Sequence, residues 1–171
     1  MNNISNLLAI IFILLLIVNC KKKEEYNEIE KFYYKDFQPN IEVLCCDSIF
    51  IDLNNDNIND IGSYLSISAK ISSLNSNTQI YCGTQHSASL VPVQENDVID
   101  NRIIWTNTTH GILGLLGPDY ETYIAFKLNN ENGSCYGWIK IIFSEGKLQI
   151  DKYAYNKTAN EPILAGKLLS Y

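Results

Sequence analysis

Nine consecutive residues, Asp52-Leu53-Asn54-Asn55-Asp56-Asn57-Ile58-Asn59-Asp60, place side-chain oxygens at relative positions 1, 3, 5 and 9. Calcium is a hard cation that takes about six to eight oxygens, and a tight loop with ligands at alternate positions can wrap it. Asp52, Asn54 and Asp56 offer side-chain oxygens, and Asp60 would close the loop directly or through water. Ile58 can contribute only its backbone carbonyl. The expected cofactor is a structural calcium ion. The competing reading is a polar turn without metal, because Asn and Asp hydrogen-bond readily to their own backbone.

The loop resembles the D-x-[DN]-x-D-x-x-x-D sites of EF-hand-like and integrin-repeat-like proteins. Asn57 stands where such loops expect glycine, and asparagine enters the left-handed region more readily than most residues. Ser63 stands where an EF-hand would place its bidentate glutamate. The flanking residues alternate as strands do, so the resemblance implies a strand-loop-strand clip and not a switching EF-hand.

Other residues give weaker chemistry. Cys82 and His86 have a metal-like spacing and His110 could join them, but zinc needs four coherent ligands and no fourth is spaced for it. Serine, histidine and aspartate are all present without a G-x-S-x-G setting around any serine, and no glycine-rich phosphate loop occurs. No catalytic constellation emerges. Trp105, Trp138, Tyr120 and Tyr153 could form an aromatic platform for sugars, although aromatic residues on paired strands more often pack inside. A net charge of −6 and a pI near 4.8 argue against a nucleic-acid partner.

The elements that carry these residues begin with an apolar run from Leu7 to Val18, followed by Asn19 and Cys20. Twelve residues suit an exported signal peptide and fall short of the roughly 20 a spanning helix needs. Leu16-Ile17-Val18-Asn19-Cys20 resembles a loose bacterial lipobox, whose cysteine becomes the lipidated first residue. Lys21-Lys22-Lys23-Glu24-Glu25 resembles the charged signal that Bacteroidetes-type lipoproteins carry for surface display. These resemblances imply a signal peptide over 1–19, a lipid on Cys20 and a charged tether over 20–38. The chain would be anchored in the outer membrane by that lipid, facing the cell exterior.

Cleavage before Cys20 would leave 171 − 19 = 152 residues, enough for one domain with its own core. Four further cysteines, Cys45, Cys46, Cys82 and Cys135, are disulfide candidates in an oxidising compartment, or buried free thiols. Neighbours in a strand point to opposite faces, so Cys45 and Cys46 are expected to reach different elements more easily than each other.

The domain itself, expected over 39–171, reads as β throughout. Ile49, Ile51 and Leu53 alternate and deliver Asp52 to the loop. Leu65, Ile67, Ala69 and Ile71 alternate with Ser66, Ser68 and Lys70, the cleanest period of two in the chain. Thr78 to Cys82, Val91 to Val93, Ile103 to Trp105, Tyr123 to Leu128, Cys135 to Phe143, Lys147 to Tyr155 and Ile163 to Leu169 are further strands. Asn129 to Gly133 supplies a hairpin turn. No window shows a helical stripe outside the signal segment, and the expected fold is an antiparallel β-sandwich preceded by a signal-peptide helix and a flexible tether.

Tyr136-Gly137-Trp138-Ile139, Tyr153-Ala154-Tyr155-Asn156 and Ile163-Leu164-Ala165-Gly166 together resemble the C-terminal signature of small secreted β-domains and Bacteroidetes-type lipoproteins. The resemblance implies fold and address more than activity. The functional expectation is a binding or structural module of the cell envelope, with a glycan or an envelope protein as partner. The alternative is a carbohydrate-binding module or a small glycan hydrolase.

Overall fold

The structure, a computed structural model, describes residues 30–66, 68–82, 89–107, 111–113 and 120–169. The expected signal helix, Cys20, His86 and His110 lie outside the described residues. Twelve strands follow one another among those described: β1 (Phe32–Val43), β2 (Ser48–Ile51), β3 (Ile61–Leu65), β4 (Ala69–Ser73), β5 (Thr78–Tyr81), β6 (Val98–Ile99), β7 (Trp105–Thr106), β8 (Gly111–Leu113), β9 (Tyr120–Asn130), β10 (Gly133–Ser144), β11 (Lys147–Asn156) and β12 (Ile163–Leu164). The fold is all-β, and every ladder between these strands is antiparallel.

The strands make three sheets. A six-stranded sheet runs β1-β11-β10-β9-β5-β7, a four-stranded sheet runs β2-β3-β4-β8, and β12 pairs with β6 in a short ribbon. Side chains alternate across a strand, so each long strand of the central sheet feeds two different cores. Ile139, Ile141, Ile150 and Tyr153 point one way and meet Ile51, Leu53, Ile61 and Ile71 of the four-stranded side. This is the sandwich core. Tyr136, Trp138 and Ala154 point the other way and pack with Val93, Ile99, Ile163 and Ala165, which close the second face.

Each fully buried Ile or Leu in these layers contributes about 1.5–3 kcal/mol by leaving water. That two-sided burial explains the long apolar run of β10, which sends Ile139 and Ile141 to one core and Trp138 to the other.

Val91–Val93 forms an isolated bridge from Val93 to Tyr123 and no strand, the expected Ile103–Trp105 strand shifts to Trp105–Thr106, and the last strand ends at Leu164 instead of Leu169. Two further differences have a clear cause. β1 begins at Phe32, inside the stretch 20–38 expected to be tether. Phe32 is buried against the second core, and Tyr33 stacks on Tyr153 and Tyr155 with centroids 5.8 and 5.2 Å away. Pro39 falls in a register shift between Asp36 and Ile41 on this edge strand, where the missing N–H removes no ladder bond from the middle of the sheet.

The second difference is the run from Leu65 to Ile71, which is not one strand but the hairpin between β3 and β4. Leu65 pairs with Ala69 across a three-residue turn, and the Ser66 amide donates to the Ser68 carbonyl at 3.2 Å. Directly paired residues share a face, and an odd-numbered turn keeps the alternation in phase. Leu65, Ala69 and Ile71 are all buried, so the period of two is in phase on the two sides of the turn.

Candidate functional site

The Asp52–Asp60 segment leaves β2 and returns as β3, as the alternation on either side requires. Within it the acids first serve the backbone. Asp52 Oδ1 accepts from the Asn54 and Asp56 amides at 3.2 and 3.3 Å, and Oδ2 accepts from Asn57 at 2.8 Å. Asp56 Oδ1 accepts from the Ile58 amide at 2.8 Å. Asn54 spans its neighbour, accepting the Asp56 amide through Oδ1 and donating to Asp56 Oδ2, both at 3.0 Å. Asn57 takes φ 67°, the left-handed conformation expected of the residue in the glycine position.

Asp60 behaves differently. Its side chain is 2 % exposed and turns into the sandwich. Oδ2 accepts from the Leu53 amide at 2.8 Å, while Oδ1 accepts from Thr78 Oγ1 at 2.8 Å and Asn75 Nδ2 at 2.9 Å. The Asp60 amide donates to the Ile51 carbonyl at 2.9 Å. Both carboxylate oxygens are committed to protein donors. Asp60 thereby ties the loop's exit to its entrance and to β5.

Among the described residues no three His, Cys, Asp or Glu side chains converge to hold a metal ion. The expected ligand set of Asp52, Asn54, Asp56, Asp60 and the Ile58 carbonyl stays together on this one loop, with Asp60 the buried member. A carboxylate offers about four lone-pair sites, so Asp52 and Asp56 retain accepting capacity beyond the amide bonds they make.

Beside the loop lies a cleft of about 240 Å³. It is lined by Asn54, Asp56, Ile58 and Asp60 of the loop, by Asn75 and Asn77, and by Leu128, Asn129, Asn130 and Glu131 at the end of β9 and the turn after it. What gathers them is register: Thr78 pairs with Leu128, which sets the Asn75–Asn77 turn beside the end of β9. The Asn129 amide donates to the Asn77 carbonyl at 2.7 Å and fixes the two turns together. The surface is dense in amides and carboxylates, and bonds within the protein hold Asn54, Asn75 and Asn130 in place through both side-chain polar atoms.

The four aromatic residues expected as a weak ligand platform do not form one. Trp138 and Tyr153 are buried, at 2 % and 0 % exposure, on opposite faces of the central sheet. Trp138 Nε1 donates to the Lys167 carbonyl at 3.1 Å, and the Tyr153 hydroxyl donates to the Leu53 carbonyl at 3.3 Å. Burial, then the neighbouring Tyr33, raises the Tyr153 phenol well above the ordinary tyrosine range. Trp105 is half-buried, stacks on Tyr136 at 5.8 Å, and carries Lys127 Nζ 5.5 Å from its ring centroid. Tyr120 is half-buried at the start of β9.

The C-terminal signature residues have structural duties. The Phe126 ring covers Gly137, where a Cβ would come within 2.3 Å of the ring and 2.6 Å of the Ala154 carbonyl. Asn156 is fully buried and donates to the Pro162 carbonyl at 3.1 Å. Gly166 has φ +75° under the Tyr123 hydroxyl.

All four described cysteines are free thiols. Cys82 and Cys135 are buried in the sandwich core. Thr78, Leu128 and Cys135 share one row of the sheet, and Cys82 lies four residues further along β5. Strand geometry separates the two by roughly 13 Å along the strands and roughly 10 Å across them. That exceeds the reach of a disulfide, whose Cα atoms lie about 4.4–6.8 Å apart. Cys82 is therefore a core thiol, while the His86 of the metal-like spacing lies outside the described residues. Burial pushes the Cys82 and Cys135 thiols up, so both favour the protonated form.

Comparison with known protein families, curated proteins and solved structures found no match to this chain.

Proposed function

We propose that this chain is a lipid-anchored binding module of the bacterial outer membrane, with Cys20 as the lipidated residue and the polar cleft beside the Asp52–Asp60 loop as its binding site. The observation that carries the reading is the cleft, in which Asn54, Asn75, Asn77, Asn129, Asn130 and Glu131 gather around about 240 Å³. Amides that both donate and accept, set beside a carboxylate, match the alternating donors and acceptors of sugar hydroxyls. The volume lies just under the roughly 300–1,000 Å³ of pockets that enclose drug-sized ligands, so the ligand is a terminal sugar or short glycan end. A glycan array probed with the full-length protein in detergent tests this. Binding that Asn129→Ala weakens at least several-fold supports it, and an array without signal refutes it.

The anchor is tested separately. Cys20→Ser should move the protein out of the membrane fraction or stall its processing; unchanged fractionation would refute the anchor and leave the cleft untouched. Calcium belongs to the same proposal, held by Asp52, Asn54, Asp56, Asp60 and the Ile58 carbonyl, where it would stiffen the rim of the cleft and offset its acidic charge. A melting temperature that is indifferent to chelator would remove calcium from the proposal.

A further inference from the structure

Cys45 and Cys46 are exposed neighbours whose Sγ atoms sit 3.5 Å apart in hydrogen-bond contact. The sequence expectation placed them on opposite faces of a strand. They instead occupy the turn between β1 and β2, closed by the Asp47 amide donating to the Leu44 carbonyl at 3.0 Å. Cys46 adopts φ 70°, which rotates its side chain to the same side as that of Cys45. The turn is held at both residues: Cys45 bridges to Leu65, and the Cys46 amide donates to the Leu65 carbonyl at 2.7 Å. With Cys82 and Cys135 buried and out of each other's reach, this is the pair of described cysteines whose sulfurs meet.

We propose that Cys45 and Cys46 are a redox-active vicinal dithiol, oxidised by small-molecule disulfides of the glutathione class to a reversible disulfide between the two neighbours. The thiolate of one cysteine attacks the glutathione disulfide, forming a mixed disulfide and releasing one glutathione. The second protein sulfur, already in contact, then attacks the protein sulfur and displaces the other glutathione. Two electrons pass to the glutathione disulfide, and the two thiol protons end on the two glutathiones released. The contact makes the second step intramolecular, so the mixed disulfide does not accumulate.

Adjacent Cα atoms lie about 3.8 Å apart, closer than an ordinary disulfide places them, so the ring is strained and readily reduced. Strained, exposed disulfides are the labile kind, while structural ones resist the glutathione pool. The hydrogen bond it shares with Cys46, then the charge Cys46 would carry, pushes the Cys45 thiol up, so Cys45 favours the protonated form at rest.

The test is to equilibrate the full-length protein with glutathione mixtures of graded ratio, trap free thiols by alkylation, and map peptides by mass. The expected product is a peptide in which Cys45 and Cys46 have together lost two hydrogens and escape alkylation, and which returns to the dithiol in reduced glutathione. Cys46→Ser should instead leave a stable glutathione adduct on Cys45. Any of three results for the wild-type protein would overturn the proposal: glutathione adducts that persist on either cysteine, full alkylation of both at every ratio, or a bridge from either to Cys82 or Cys135. The wild-type map decides the matter whether or not the serine variant folds.

Discussion

Replacing Asp60 by alanine probes the difference between an anchor and a metal ligand. The substitution removes the acceptor of three hydrogen bonds, from the Leu53 amide, Thr78 Oγ1 and Asn75 Nδ2. Leu53 and Thr78 are fully buried, so their donors cannot turn to water, whereas Asn75 is half-buried and can. A hydrogen bond to a charged group contributes about 1.5–3 kcal/mol, which puts the two buried bonds at about 3–6 kcal/mol. Relief from desolvating the carboxylate offsets part of this, leaving a loss of about 3–5 kcal/mol. For a domain of this size that lowers the melting temperature by about 10 °C or more. Asp60→Asn keeps one acceptor and should fall between wild type and alanine. Asp56→Ala, on the exposed loop, should cost only about 0.5–1.5 kcal/mol for the hydrogen bonds it loses. Urea unfolding of the three variants in chelator, at constant m-value, measures these differences. If Asp60→Ala cost no more than Asp56→Ala under those conditions, the anchoring role would be wrong.

Gly137→Ala forces a methyl group against the Phe126 ring and the Ala154 carbonyl, and should destabilise the domain by about 1–3 kcal/mol; an unchanged urea midpoint would show that the sheet yields there freely. Alkaline pH should unfold the protein. Burial, then the charge that Cys135 would carry, pushes the Tyr155 phenol up to about 12, against about 10 in an unfolded chain. A group raised in this way stabilises the fold below about pH 10 and loses its contribution as pH rises to about 12, at about 1.4 kcal/mol per pH unit. Tyr153 is raised too and adds to the slope. The urea midpoint should therefore drop above about pH 10, with a shallower slope in Tyr155→Phe, and a flat profile would contradict the burial of these rings. Trp138→Phe should lose the bond to the Lys167 carbonyl, about 0.5–1.5 kcal/mol beyond the packing change, and accelerate amide exchange at the C-terminal segment.

The fold was legible because a sheet buried on both faces leaves a strong signal: β9, β10 and β11 fall within a few residues of where alternation and the Asn-Gly turn place them. The hairpin at Leu65–Ala69 was invisible to the same signal, since a turn that preserves phase leaves the period intact. The start of β1 was obscured by a neighbouring charge run; the stacking of Tyr33 on distant tyrosines orders it, and no local pattern reports such a contact.

The site was legible only in part. Loop spacing marked Asp52, Asn54 and Asp56 as a unit, but Asp60 reads the same whether its carboxylate faces an ion or Thr78, 18 residues away. The cleft asparagines come from three turns joined by register, and turn composition alone carries no information about which turns meet. The cysteine pair was misread for a backbone reason: one residue at φ 70° reverses the strand rule for where neighbouring side chains point.

The most direct test of the cleft is to titrate the isotope-labelled protein with the glycans of the array and follow backbone and side-chain amide resonances. The proposed function predicts shifts concentrated at Asn75, Asn77, Asn129 and Asn130, with smaller ones at Asn54 and Asp56. Shifts centred instead on the exposed Phe50 and Tyr64, or no shift at any residue, would contradict it.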